Sequence, residues 1–356
     1  MKILVTGGGG FLGKALVLRL LARGDTVRVF TRSAQPALEQ AGAVCFRGDI
    51  AAIAVANAAA ADIALIRAAC EGCDAVFHTA AKTGVWGRAD EFFRVNTSGT
   101  QNVLDACRAA AVPLLVHTST PSVVYTGGPL AGASETLPLA TSCPCAYPPS
   151  KAEAERRVLA ANCATLRTTA LRPHLIWGAG DPHLVPRVVR QARTGRLRIV
   201  GDGQNRVDLT HIDNAVHAHL LALDALRREL TDGSTASATV RDSSETSAPK
   251  SPAGRAYFIS DGAPVVLWEW VNALLARLGI APVTRRIRLT TARRAGALAE
   301  CLWRVLPLRG EPPMTRFVAT ELAEDHWFDI SAARRDLGYA PVADPAAALD
   351  ALVASL

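Results

Sequence analysis

The feature that most restricts what this chain can fold into is its first thirteen residues, Met1-Lys-Ile-Leu-Val-Thr-Gly-Gly-Gly-Gly-Phe-Leu-Gly13. Lys2–Thr6 is a short β-branched, apolar run of the kind that makes a strand buried on both faces. It passes directly into Gly7-x-x-Gly10-x-x-Gly13, and from Phe11 the apolar positions Leu12, Leu16, Leu20 and Leu21 take up helical spacing. Gly7 lets the chain turn off the strand, Gly10 lets backbone N–H groups approach a pyrophosphate, and Gly13 lets the helix lie close on the strand. The helix start then offers unpaired N–H groups and partial positive charge to that phosphate. A glycine-rich turn alone fits any tight βα connection. With a strand before it and a helix after it, it predicts a dinucleotide site, with Gly7, Gly10, Phe11, Leu12 and Gly13 as its residues.

Further short apolar runs at Thr26–Thr31, Ala43–Phe46, Asp74–His78, Leu114–Thr118 and Thr168–Leu171 read as strands, with helical stretches between them at Ala51–Ala69 and Phe93–Val112. That alternation predicts an α/β fold: a Rossmann-type, doubly wound parallel sheet with a smaller, mainly C-terminal substrate-binding lobe. The expected division is a cofactor-binding domain over residues 1–172, rejoined by 207–226, and a lobe made of 173–206 and 255–356. Residues 227–254 hold Ser, Thr, Ala, Asp and Pro without an apolar period and read as a disordered insertion. Ala297–Leu306, apolar and flanked by arginines, reads as a buried helix of the lobe rather than a membrane-surface helix. No run offers the apolar length of a membrane span, and no secretory signal is apparent.

The net charge of +7 is spread along the 356 residues with no basic stripe interleaved with aromatics. It suits a phosphate-bearing cofactor or an acidic substrate and argues against nucleic acid. The eight cysteines show neither disulfide-framework nor zinc spacing, so reduced, mostly buried thiols, no metal and a cytoplasmic location are expected.

At the end of the second strand, where a carboxylate would accept the ribose 2′-hydroxyl of NAD, stand Thr31, Arg32 and Ser33. With no carboxylate to repel a phosphate and a guanidinium to pair with one, NADP(H) is favoured; NAD(H) remains the alternative. Asp49 is placed either to accept from the adenine amino group or to cap the next helix. Ile50, Ala80 in the small-residue exit of the fourth strand, and Pro173 complete the cofactor candidates.

Tyr147-Pro-Pro-Ser-Lys151 begins like a helix, since prolines suit the first turn. Spacing of four places the phenol and the ammonium on one face. A nearby cation favours the phenolate, so the pair makes a general acid able to protonate a carbonyl oxygen. His117-Thr-Ser-Thr-Pro-Ser-Val-Val124 adds hydroxyls at the carboxyl edge of the sheet, where one can hold the substrate oxygen within reach of Tyr147.

Taken together, Thr6–Gly13, Gly48-Asp49, His78–Ala81, Asn96–Thr100, Thr118–Thr120, Tyr147…Lys151 and Leu171–Pro173 resemble the extended short-chain dehydrogenase/reductase family through nearly the whole chain. In that family the catalytic hydroxyl falls three positions before the valine of a Ser-Ser-x-x-Val pattern, which is Thr120 before Val123 here. The resemblance therefore implies Thr120, Tyr147 and Lys151 as catalytic residues, with Lys151 also binding the cofactor ribose. Asn96 aligns with an asparagine that organises the site or relays protons in related enzymes; a structural role in its own helix is the rival. Ala80–Gly87, Ser119–Val124, Arg172–Gly178, Gly180–Arg187, Gly195–Gly203 and Gly310–Phe317 are similar to the 3β-hydroxysteroid dehydrogenase-like branch, and within it to bacterial 2-alkyl-3-oxoalkanoate reductases of long-chain olefin biosynthesis.

That resemblance implies NADPH-dependent reduction of a lipid-like β-keto acid. It also implies a homodimeric enzyme acting beside other olefin-biosynthesis enzymes, in the cytoplasm, at a membrane periphery or in an assembly. Trp86, His174, Trp177, Arg187 and Met314 are the expected substrate-binding residues, an apolar lining with a cation for a carboxylate. The rival functions are a 3β-hydroxysteroid or sterol-carboxylate dehydrogenase, an NAD-dependent sugar-nucleotide epimerase or dehydratase, and a non-catalytic dinucleotide sensor.

Overall fold

Seven strands form the central sheet, its middle strands buried and its edge strand at Val44–Arg47 partly exposed: β1 (Lys2–Thr6), β2 (Thr26–Thr31), β3 (Val44–Arg47), β4 (Ala75–His78), β5 (Leu114–Thr118), β6 (Arg167–Pro173) and β7 (Arg255–Ile259). The computed structural model describes residues 1–52, 57–125, 127–182, 184–231, 249–306 and 308–356. In space the strands run 3-2-1-4-5-6-7, and every neighbouring pair is parallel. The order reverses between β1 and β4, and in open α/β sheets ligands bind outside the carboxyl ends of strands at that point.

Ile3, Leu4 and Val5 of β1 are fully buried, as a strand covered on both faces requires. One face packs Leu12, Leu16 and Leu20 of helix α1 (Phe11–Ala22) with Ala215, Ala222 and Leu223 of a later helix, Ile212–Thr231. The other face packs Ile66 of α2 (Asn57–Cys70), Val103 and Leu104 of α3 (Gly99–Ala109) and Val158 of α4 (Tyr147–Ala160). α5 is Leu184–Arg193, the helix Ile212–Thr231 is α6, and α7 is Leu267–Arg277.

The second lobe is assembled from dispersed pieces. Its four-stranded sheet joins Arg206–Val207, Val265–Val266, His326–Phe328 and Leu130–Ala133. Its core holds Trp177, Val185, Val207, Trp268, Leu274 and Leu275.

The structure revises several boundaries. Residues 255–259, expected in the lobe, are the edge strand β7, in register from Arg255 opposite Thr169 to Ile259 opposite Pro173. Burial of Tyr257, Phe258 and Ile259 on the sheet explains the placement. Of the expected insertion, Arg227–Thr231 continue α6. Residues near its far end are anchored: Lys250 N donates to Asp336 at 2.8 Å and Gly254 N to Thr168 O at 2.7 Å. Residues 232–248 lie outside the described residues.

The helix expected at Phe93–Val112 opens with a π-helical turn over Phe93–Ser98 before α3. The stretch Ala297–Leu306, expected to be buried, is the exposed end of α8 (Leu289–Val305), which precedes the short helix α9 (Arg316–Glu321). Of the cysteines, Cys70, Cys73 and Cys107 are buried, Cys45, Cys143 and Cys145 half-buried, and Cys163 and Cys301 exposed, all as free thiols. No helix among the described residues is long and apolar enough to cross a membrane.

Candidate active site

At the switch point the glycine turn is built as tightly as its sequence demands. Gly7 has φ +74°, and a Cβ there would sit 2.7 Å from the backbone of Ala80. A Cβ on Gly13 would lie 2.3 Å from the carbonyl oxygen of Gly7, so only glycine lets α1 approach β1 this closely. Gly10 is the N-cap of α1, whose first turn carries no acidic side chain and no side-chain cap. Its N–H groups are thus open to an anion.

A cleft of about 630 Å³ extends from this turn along the carboxyl ends of the strands. Gly7, Gly10, Phe11, Leu12 and Gly13 line its floor, with Arg32 at one end, Asp49, Ile50 and Ala80 along the side, and Thr120, Tyr147, Lys151 and Pro173 farther in. Arg32 is exposed beside Thr31 and Ser33, and the end of β2 carries no carboxylate. Asp49 is already engaged: Oδ1 accepts from Ala51 N at 3.0 Å and Oδ2 from Arg94 Nη1 at 3.3 Å. A cradle that any Cβ would fill, a helix start open to anions and a terminal guanidinium fit a phosphate-bearing dinucleotide.

Tyr147 is the first residue of α4 and Lys151 stands one turn on, so both side chains face the cleft. The Thr120 hydroxyl hydrogen-bonds the phenol. Thr120 is itself fixed by capping the turn Pro121–Val124, where its Oγ1 accepts from Ser122 N. Burial pushes the Tyr147 phenol up to about 12, more than the Thr120 hydrogen bond lowers it. It is therefore fully protonated at neutral pH. The sequence suggests a phenol made more acidic by Lys151; in the fold burial raises it instead, and the lowering comes from the Thr120 hydrogen bond rather than from the cation.

Lys151 is 2% exposed. Its Nζ donates to Thr118 O at 2.6 Å and lies 3.3 Å from His117 Nε2. Burial brings its ammonium down to about 8. The same burial, reinforced by Lys151, holds His78 near 3 and His117 well below the usual imidazole range, so both are neutral beside the cation.

Asn96, in the π turn, ties this machinery together. Its Oδ1 accepts from Lys82 N at 2.7 Å, while Nδ2 donates to Lys82 O at 3.0 Å and Ser150 Oγ at 2.9 Å. The loop after β4 is thereby locked to the turn of α4 between Tyr147 and Lys151. A π turn widens the helix and re-aims its side chains, a device concentrated at functional sites.

The five expected substrate-binding residues separate. His174 lines the cleft, and its Nε2 is 2.6 Å from Nδ1 of His326, whose Nε2 faces the Glu321 carbonyl at 2.7 Å. A carbonyl only accepts, so His326 carries a proton on Nε2, and with that ring neutral His174 donates from its own Nε2. The remaining lone pair of His174 is on Nδ1. Arg187 lies in an adjoining cavity of about 530 Å³, 3.5 Å from Glu311, and Thr83 and Gly84 line both spaces. Trp86 lies under the guanidinium of Arg304, 5.6 Å from its ring centre. Trp177 is 2% exposed in the lobe core and bonds Asp261 through Nε1 at 3.0 Å. Met314 packs with Val200, Ala292 and Ala319. Those two pack in the core because tertiary contacts, not residue type, decide whether an apolar side chain lines a cavity or fills a core.

Sequence reasoning did not single out Phe317, Glu321 or Leu175 as wall residues of the cleft. Burial raises the Glu321 carboxyl above its ordinary range. Leu175 adopts φ +41°, a strained conformation for a branched side chain. Phe317 and Leu175 both fall within stretches that carry the family resemblance, and Glu321 does not.

A profile of the 3-beta hydroxysteroid dehydrogenase/isomerase family matches residues 4–290. The chain is 48% identical over 344 residues to a 2-alkyl-3-oxoalkanoate reductase of Stenotrophomonas maltophilia, covering 96% of this chain and 95% of that protein. It is 41% identical over 359 residues to the 2-alkyl-3-oxoalkanoate reductase of Shewanella oneidensis, covering 99% and 85%. Among solved structures, the UDP-glucuronic acid 4-epimerase of Bacillus cereus in complex with NAD is similar in fold, with TM-score 0.69 and 21% identity, covering 100% of this chain and 98% of that one. With the family matched across the glycine turn, the hydroxyl turn and the Tyr147–Lys151 helix alike, the chain belongs to the 3-beta hydroxysteroid dehydrogenase/isomerase family.

Proposed function

We propose that this oxidoreductase uses NADPH to reduce the ketone of a 2-alkyl-3-oxoalkanoic acid, giving the 2-alkyl-3-hydroxyalkanoic acid. The observation that carries the reading is the Thr120–Tyr147 hydroxyl pair, with Lys151 one helical turn away, lining the same cleft as the glycine turn. The names of the two relatives supply the substrate class.

Gly7, Gly10 and Gly13 with the start of α1 would hold the pyrophosphate, Arg32 a 2′-phosphate, and Lys151 the nicotinamide ribose. When bound, the nicotinamide supplies a hydride to the ketone carbon. Thr120 Oγ1 and the Tyr147 phenol donate hydrogen bonds to the ketone oxygen and set the carbonyl in place. Tyr147 then gives its proton to that oxygen as negative charge develops there. A phenol held near 12 keeps the proton across the neutral range and releases it to an alkoxide, which is far more basic. The Lys151 ammonium lies on the same helix face and stabilises the phenolate left behind. Arg187, in the adjoining cavity beside Glu311, would meet the substrate carboxylate. The product class suits an enzyme of long-chain olefin biosynthesis working beside enzymes that consume the hydroxy acid.

Free β-keto acids lose CO₂, so the test runs in the oxidative direction. NADP⁺ and NAD⁺ reduction is followed with long-chain 2-alkyl-3-hydroxyalkanoic acids and, separately, a 3β-hydroxysteroid. Turnover of the branched acid with NADP⁺, lost in Tyr147→Phe with cofactor affinity retained, is expected. Turnover of the steroid alone overturns the substrate assignment, and NAD carried through purification points to sugar-nucleotide chemistry.

A further inference from the structure

Helix α8 carries two unlike faces. Ala292, Gly296 and Glu300, spaced by four, form its buried stripe. Gly296 lies so close to the start of α9 that a Cβ would fall 2.7 Å from the carbonyl carbon of Thr315. Glu300 accepts from Arg316 N at 2.7 Å and pairs with its guanidinium at 2.8 Å. This fixes the helix by its small and acidic residues and turns the larger apolar ones outward. Leu298 is 63% exposed, Leu302 41% and Val305 75%, and Leu306 and Leu308 continue the patch at 46% and 42%. Five of the eleven exposed large hydrophobic residues found among the described residues thus fall within eleven positions. Single exposed leucines need no explanation, but a contiguous patch of this kind marks a binding surface.

The charge around the patch identifies what it fits. Between Arg285 and Arg309 the chain has seven arginines and one acidic residue, Glu300, and Glu300 is buried and already paired. Arg293, Arg294, Arg304 and Arg309 are exposed, and at about 100° per residue Arg294 stands on the same side of the helix as Leu298. An apolar face bordered by guanidiniums suits the interface of an anionic bilayer, where the leucines enter the acyl boundary and the arginines meet phosphates.

We propose that the outer face of α8 docks the enzyme on an anionic lipid surface. The position of the helix gives that docking a use, and this part rests on the lipid-like substrate proposed above. Its inner face backs α9, which carries the cleft residues Phe317 and Glu321. Arg304 stacks on Trp86, two residues beyond Gly84 at the junction of the two cavities. Docking through α8 brings the opening of the cleft near the surface in which a two-chain fatty acid would reside.

Flotation of the full-length protein with phosphatidylglycerol vesicles, without substrate, tests docking independently of the reaction. Co-flotation with phosphatidylglycerol, little with phosphatidylcholine, and weakening in high salt are expected. The triple substitution Leu298→Ser, Leu302→Ser, Val305→Ser should lower vesicle binding by at least about tenfold. It should leave the melting temperature and the turnover of a short-chain, water-soluble hydroxy acid unchanged, because all three side chains point away from the core. Absence of flotation with anionic vesicles overturns the proposal, as does equal flotation of the triple variant. A wild-type oligomer that the triple variant dissociates also overturns it, assigning the face to contacts between copies of the chain. Docking without turnover of the branched acid leaves docking standing and refutes only the substrate reading.

Discussion

Gly10 and Gly13 are three residues apart in one turn, yet the structure predicts opposite failures for Gly13→Ala and Gly10→Ala. At Gly13 a methyl group would stand 2.3 Å from Gly7 O and 2.9 Å from both Gly7 C and Gly8 Cα. All three are backbone atoms in the join between β1 and α1, so relief requires α1 to move off a sheet face where Leu12, Leu16 and Leu20 are buried. Overpacking of this kind costs about 3 kcal/mol. At about 2.1 cal/mol/K per residue, unfolding 356 residues carries an entropy of about 0.75 kcal/mol/K, so that loss lowers Tm by about 4 °C. At Gly10, with φ −80°, a methyl meets only Gly7 O, at 3.3 Å. A shift of a few tenths of an ångström relieves it, and Tm should move by no more than about 1 °C. The same methyl occupies the approach of the pyrophosphate to the helix start, so dinucleotide affinity should fall by at least about tenfold. Thermal unfolding of the cofactor-free protein and NADPH fluorescence titration measure the two effects separately. A Gly13→Ala protein as stable as wild type, or a Gly10→Ala protein binding NADPH with wild-type affinity, would refute the reasoning.

Other expectations concern charge. Arg172 and Glu155 form a buried bidentate pair at 3.0 and 2.5 Å beneath Pro173. Glu155→Gln leaves the guanidinium unpaired in the core and should destabilise by about 3–5 kcal/mol, whereas Glu155→Leu with Arg172→Met should recover most of that; chemical denaturation that ranks the double variant below the single one contradicts it. Burial holds Lys151 at about 8, below its ordinary 10.5, so between those pH values the folded chain binds fewer protons than the unfolded one and stability rises with pH. Lys151→Met should flatten that rise in the cofactor-free protein, and an equal rise in the variant would show that the ammonium is not desolvated. Arg32→Ala should weaken NADPH by about tenfold while leaving NADH almost unchanged; parallel losses for both cofactors would remove Arg32 from the 2′-phosphate site.

What the sequence determined by itself was local. The spacing of Gly7, Gly10 and Gly13 states the turn because strand exit, phosphate approach and helix contact all occur within seven residues. Tyr147 and Lys151 were legible as a pair because four residues of helix fix their relative direction whatever surrounds them. Among the hydroxyls of Thr118–Ser122, Thr120 was legible only through the family resemblance; the turn it caps is visible in the structure. The tertiary structure decided whatever depends on distant chain segments. The sequence reading places residues 255–259 in the lobe, and only pairing with β6 shows that they complete the central sheet. Trp177 has the composition of a pocket residue and is core, because Asp261 and the lobe helices close over it. The phenol of Tyr147 sits higher than its neighbour Lys151 suggested, because desolvation is a property of the folded surroundings and not of spacing. In α8 a pattern of leucines suggested burial, yet the helix turned its small residues inward, since only Gly296 permits the approach of Thr315 at the start of α9. Periodicity shows that a helix has two faces; which of them is covered depends on what the rest of the chain brings against it.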